Sequence, residues 1–299
     1  MGALDRRRGT LARWSCAAAV LFAVGAVVGA GDAAAAAGAG AKAEAKPVAP
    51  ARPPAAPAVR LPELPPAASK ALKKATHLVV AVTGSWSAPE ASLSLYVRSA
   101  KGWGRELGPF AASVGKTGLA WGRGLLPPPE PPARVKKEGD GAAPAGVFSL
   151  GSVMGYEPRP PKGLKLPYRS AGVRTECVDD PASPLYNRIA ERPAKGEPRW
   201  KSSEKMRRDD DLYRLLALVD HNGLVGKSRP EPEGGSCIFL RGGLAAGKPT
   251  SGDTALNGAE LLRLLLALPS LGRTLLVQLP RAEYEAAVTA WGLPPLTER

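Results

Sequence analysis

Few side chains in this 299-residue chain can act as a nucleophile or a base near neutral pH. It holds three cysteines, Cys16, Cys177 and Cys237, and two histidines, His77 and His221. A thiolate works as an acyl-transfer nucleophile only beside a base and beside backbone N–H groups that hold the oxyanion. His77 opens an apolar run and reads as a surface or packing histidine, and His221, inside Asp220-His221-Asn222, reads as structural. Charged side chains, Arg241 and Asp253 among them, do not readily fill that role. Arg241 stays protonated at any relevant pH and cannot be a general base. Asp253 is ionised but is a poor nucleophile toward an unactivated amide, because the expelled amine finds no proton donor. Asp253 as a base for water leaves a hydrolase conceivable, whereas Ser251 or Thr254 as nucleophile lacks a base. No metal-ligand spacing, phosphate loop or nucleotide motif occurs, and Gly139-Asp140-Gly141 reads as a turn, so neither a metal nor a cofactor is expected.

The elements that position these residues read as mainly β. His77-Leu78-Val79-Val80-Ala81-Val82 is a β-branched apolar run, and Leu93-Ser94-Leu95-Tyr96-Val97-Arg98 alternates. Residues 147–150, 215–219, 237–240 and 275–279 read as further strands, separated by Gly/Pro punctuation too dense for βαβ units. One helix is signalled by Asn257 as N-cap, Glu260 in the first turn and Leu261, Leu262, Leu264, Leu265 and Leu268 as its apolar face. A second is expected over residues 284–291.

The remainder of the chain reads as an exported tether. Arg6, Arg7, Arg8 and Arg13 precede an apolar stretch, 16–30, and small residues follow, which is the layout of a signal peptide over 1–36. Left uncleaved, that stretch would anchor the chain to a membrane. Residues 37–70 are alanine, proline and glycine with scattered lysines, expected to be a disordered, semi-stiff linker. Residues 71–299 then form one domain, about 230 residues, enough for one sizeable core. The expected location is the periplasm or cell envelope. The net charge of +14 favours anionic partners, but no helix-turn-helix, zinc finger or aromatic-interleaved basic motif points to nucleic acid. With Cys16 in the leader, Cys177 and Cys237 form an even pair for which export permits a disulfide, two buried thiols being the alternative.

Several segments, in order, resemble the YkuD-type L,D-transpeptidase family. Gly118-Leu119-Ala120-Trp121-Gly122-Arg123-Gly124 is similar to its G-x-x-W-G-x-G segment. Glu138-Gly139-Asp140-Gly141 and Pro144-Ala145-Gly146-Val147-Phe148 resemble its E-G-D-G-x-x-P-A-G-x-F turn and strand. Cys177-Val178-Asp179-Asp180 with Ser183 and Tyr186-Asn187-Arg188 resembles C-V-D-D…S-x-x-Y-N-R. Trp200, Ser203-Glu204-Lys205-Met206, Asp220-His221-Asn222 and the tail from Val277 to Pro294 also fit. Members of that family cross-link peptidoglycan stem peptides through a cysteine thioester with a histidine moving the proton.

The family's G-S-C-I-F-L-H stands here as Gly235-Ser236-Cys237-Ile238-Phe239-Leu240-Arg241. Its P-T-A-G-C-x-A-L stands as Pro249-Thr250-Ser251-Gly252-Asp253-Thr254-Ala255-Leu256. The histidine position is thus Arg241 and the nucleophile position Asp253. The resemblance implies that these two side chains face each other, and opposite charges there should pair. It implies a YkuD-like β-sandwich with a few helices, and a cleft shaped or lined by Trp121, Glu138, Asp140, Asp179, Asp180, Asn187, His221 and Gly252. A substitute Cys237–His221 dyad is disfavoured, since four residues along one strand set Cys237 about 13 Å from Arg241. The expected function is that of a catalytically inactive family member in the envelope, binding stem peptides or a partner protein. The alternatives are a peptidoglycan transpeptidase or hydrolase with altered chemistry, and a structural envelope protein without a ligand.

Overall fold

The computed structural model describes residues 61–130, 134–226, 228–243 and 248–297, all within one compact unit, Ala56–Arg299. The expected signal peptide, and the linker as far as residue 60, lie outside the described residues.

Helix α1, Pro66–Lys74, is the first element, and it corrects the expected domain start. Pro66 fits the first helical turn, where its missing N–H costs nothing, and Ala68 and Leu72 are buried. Structure therefore begins inside the stretch expected to be linker. The strands β1 (His77–Thr83), β2 (Glu90–Ser99) and β3 (Gly102–Ser113) follow as an antiparallel meander. After β4 (Leu119–Trp121) comes β5 (Ala143–Gly155), the longest strand. The short β6 (Tyr168–Ser170) pairs with the end of β5. Then β7 (Thr175–Val178), β8 (Arg188–Glu191) and β9 (Ser203–Lys205) form a separate three-stranded sheet in the order β8-β7-β9. β10 (Leu215–Val219), β11 (Phe239–Arg241), β12 (Thr254–Leu256), α2 (Gly258–Ala267), β13 (Thr274–Pro280) and α3 (Arg281–Trp291) complete the described chain.

Mainly β is the observed class, with three helices among the described residues. The expected β-sandwich, however, is a closed barrel of eight strands, β10-β11-β12-β3-β2-β1-β13-β5, with β5 returning to β10. The closure has a local cause. β5 is long enough to serve two partners: Gly146–Ser149 pair with β13, and Leu150–Gly155 pair with β10. All eight strands contribute to the interior cluster, among them Val79, Leu93, Leu95, Phe148, Leu240 and Leu276, against which α2 buries Leu261, Leu264 and Leu265. The Asn257 side chain accepts the Ala259 N–H, so α2 starts where its cap residue predicts. Outside the barrel, Leu78, Val80 and Val82 pack with Tyr284, Ala287 and Trp291 of α3 and with Leu72 of α1. Burial on both faces explains why β1 reads as an unbroken apolar run.

Candidate functional site

The site lies outside the barrel wall, where β11 and β12 run parallel with Leu240 beside Thr254 and Arg241 beside Ala255. Asp253, one residue ahead of β12, therefore falls opposite Phe239. Its Oδ1 accepts the Phe239 N–H at 3.0 Å, and its Oδ2 accepts Arg241 Nε at 2.7 Å. Arg241 Nη1 also donates to the Gly242 carbonyl at 2.9 Å. Each side chain is 10% exposed. Burial pushes the Asp253 carboxyl up from its ordinary value, while the guanidinium and the Phe239 N–H oppose that shift. Each carboxylate oxygen thus accepts one hydrogen bond from a buried donor, and neither side chain of the pair is more than 10% exposed.

Around it opens a cleft of about 330 Å³. The barrel side supplies Lys136, Glu138, Ser236, Cys237, Ser251 and Gly252; the three-stranded sheet and its exit supply Asp179, Glu204, Arg208 and Tyr213. Glu138 Oε2 accepts the Tyr186 hydroxyl at 2.6 Å and the Ser236 hydroxyl at 2.7 Å. Lys136 reaches Asp140 at 2.7 Å. One oxygen of Asp179, Oδ1, is buried without a hydrogen-bond partner. The Gly252 N–H donates to Thr250 Oγ1 at 3.1 Å, so it is not presented to an oxyanion in the cleft.

The disulfide Cys177–Cys237, with Cα atoms 5.9 Å apart, joins β7 to the segment leading into β11. It pins one cleft wall to the other and removes Cys237 as a nucleophile. Cys237 is also not on a strand, as expected from 237–240: it has φ 55°, and β11 starts at Phe239. The extended-strand separation from Arg241 therefore does not apply, and the two residues line the same cleft.

Of the other expected cleft residues, Glu138, Asp179 and Gly252 line it, whereas Trp121, Asp140, Asp180, Asn187 and His221 do not. Trp121 is buried in the outer core, its ring 5.3 Å from that of Trp86. Asp140 holds a turn through the Lys137 and Ala142 N–H groups; burial would raise its carboxyl, but those bonds and Lys136 outweigh it and hold it below its ordinary value. Asp180 accepts from the Ala182 and Lys201 N–H groups. Asn187 donates to the His221 and Asn222 carbonyls and accepts the Cys237 N–H. His221 is fully buried: Nδ1 accepts the Arg123 N–H at 3.2 Å, which leaves Nε2 to donate to the Gly234 carbonyl at 3.1 Å. Burial lowers its pKa to about 3, so it stays neutral and structural. His77 is at the start of β1, its Nδ1 3.0 Å from Thr76 Oγ1.

The sequence did not single out Glu204 and Tyr213. Glu204 sits on β9 opposite Cys177, and its Oε2 accepts the Tyr213 hydroxyl at 2.8 Å. Burial first, and then the nearby Asp253 charge, raise its pKa from an ordinary 4.5 to about 7. The folded protein therefore keeps a proton that the unfolded chain releases between those values. Wild-type stability should fall as pH rises from about 4.5 to about 7, and Glu204→Gln should flatten that part of the profile. Urea unfolding at a series of pH values checks this; parallel profiles for the two proteins would contradict it. Pairing across β7 and β9 is the only signal that turns Glu204 inward, and three-residue strands do not announce their partners.

Among the described residues, no group of three or more His, Cys, Asp or Glu side chains is placed to hold a metal ion. Compared with family models, with curated proteins and with solved structures, the chain matches none.

Proposed function

We propose that this chain is a catalytically inactive relative of the YkuD-type L,D-transpeptidases that holds peptidoglycan stem peptides in its cleft, in the envelope of the cell. The observation that carries the reading is the Arg241–Asp253 ion pair at 2.7 Å. It takes up the two positions that, by resemblance, would carry base and nucleophile, yet it leaves an open polar cleft of about 330 Å³ above it. A purely structural descendant would gain by filling such a cleft with side chains, since open polar clefts contribute little to packing. Glu138, Asp179, Glu204, Arg208 and Ser236 offer donors and acceptors of both kinds to a peptide.

Calorimetric titration with a synthetic stem tetrapeptide tests the proposal. The wild type should bind saturably, and Ser251→Trp, which adds bulk to the cleft from a residue outside the ion pair, should bind at least about tenfold more weakly. Equal affinities, or no binding by the wild type, would sink it. The hydrolase reading keeps one foothold: Glu204, with a pKa of about 7, can accept a proton at neutral pH. It requires peptide turnover that disappears in Glu204→Gln.

A further inference from the structure

The end of the barrel away from the cleft gathers several positive charges. At that end α1 finishes, β1, β3 and β13 begin, and β2 turns into β3. Lys73 and Lys74 are the last residues of α1. Arg98 and Lys101 belong to the β2–β3 hairpin, and Arg273 immediately precedes β13. The backbone ties these segments together: the Thr76 and His77 N–H groups both donate to the Arg273 carbonyl, and Arg98 Nη1 donates to the Lys73 carbonyl. Lys165 joins them, because it and Arg273 both act on the His77 ring, after desolvation, to lower its pKa. Glu106 is the one carboxylate acting on the same ring. The connecting segments 70–77, 98–101, 162–165 and 270–273 contain no acidic residue. Lys73, Lys74, Lys101, Lys165 and Arg273 are all exposed.

Two further features distinguish this end from a merely solvated basic face. Leu271, two residues before Arg273, is 46% exposed; among the described residues only Val173, at 79% and beside Arg174, is a more exposed large apolar side chain. The Arg98 guanidinium lies 4.2 Å from the centre of the Trp103 ring, an amphipathic pair near the hairpin. The cleft sits at the other end of β3, where Ser113 pairs with Ala255. Twelve residues of β3, roughly 35 Å of strand, separate the two.

We infer that the basic end of the barrel docks on an anionic lipid surface, with Leu271 entering the headgroup layer and the cleft facing away from the membrane. Lysine and arginine side chains gain from the negative potential of such a surface, and the gain is screened within a Debye length. The exposed leucine commits the surface to lipid rather than to a soluble polyanion, which offers it no apolar layer. The proposal is independent of what the cleft binds, so either can fail alone.

The test is co-sedimentation of the full chain with vesicles of phosphatidylcholine alone and of phosphatidylcholine mixed with phosphatidylglycerol. The N-terminal apolar stretch, with Arg6, Arg7, Arg8 and Arg13 before it, favours anionic vesicles alike in every variant, so the readout is the loss of anionic-over-neutral preference in a variant relative to the wild type. The wild type should show a strong preference that declines with salt. Lys73→Ala/Lys74→Ala/Arg273→Ala should lower that preference by on the order of a hundredfold, about fivefold per charge. The control Arg174→Ala/Lys195→Ala/Lys201→Ala removes as many exposed charges from segments around the three-stranded sheet and should keep most of it. The inference is overturned by a wild type without preference, by equal losses in the two variants, or by soluble polyphosphate competing as well as the anionic vesicles.

Discussion

Arg241→Ala is expected to destabilise the protein by about 3–5 kcal/mol, because it strands the Asp253 carboxylate in a site that exposes a tenth of it. Asp253→Ala should cost a similar amount, leaving both the guanidinium and the Phe239 N–H without their acceptor. The informative comparison is the double variant Arg241→Met/Asp253→Asn. Asparagine retains an oxygen for the Phe239 N–H, and methionine replaces the aliphatic length of arginine without its charge. This protein should recover most of the loss, since removing both members of a buried pair costs far less than removing one. With the single variants Arg241→Met and Asp253→Asn added, urea unfolding of the four matching proteins closes a double-mutant cycle, with an expected coupling of several kcal/mol. A coupling below about 0.5 kcal/mol would mean that the contact is incidental, as exposed pairs often are.

Loss of the Cys177–Cys237 bridge is the second large effect expected. The bridge closes a segment of 60 residues, for which loop-closure entropy gives about 4 kcal/mol. Cys177→Ser/Cys237→Ser should lose that stability to urea relative to the oxidised wild type, and the reduced wild type should match the variant. The same substitution should weaken stem-peptide binding, because the bridge fixes the wall bearing Asp179 and Glu204 against the wall bearing Ser251 and Asp253. A variant as stable as the wild type would show that packing of Met206, Tyr213 and Phe239 around the sulfurs suffices to hold the walls together.

Parts of this arrangement are legible in the sequence because local chemistry dictates them. β1 is a run of β-branched residues with two covered faces, and Asn257 is a helix cap whose side chain does what caps do. The Arg241–Asp253 contact is legible for another reason. Two positions set side by side by resemblance carry opposite charges, and burial of both side chains favours their pairing. β3 is illegible: Gly102, Gly104, Gly108 and Pro109 interrupt any alternation, and its pairing with β2 shifts register near Leu95. Barrel closure is illegible too, since it depends on β5 dividing its length between β13 and β10, a pairing decision that no single segment encodes. The cleft suffers most. Asp140, Asp180 and Asn187 sit in motifs that look chemical but spend their hydrogen bonds on backbone, which is what short polar side chains in turns usually do. Glu204 and Tyr213 face the cleft from a sheet whose strands are too short to show a pattern.

The central question is whether the ion pair has replaced turnover with retention. Incubating the wild-type protein with purified muropeptides and analysing both fractions by mass spectrometry measures this directly. Stem peptide should co-elute with the protein, be recovered with its mass unchanged, and leave no covalent adduct on the chain. Cross-linked or trimmed muropeptides, or an acylated protein, would contradict it.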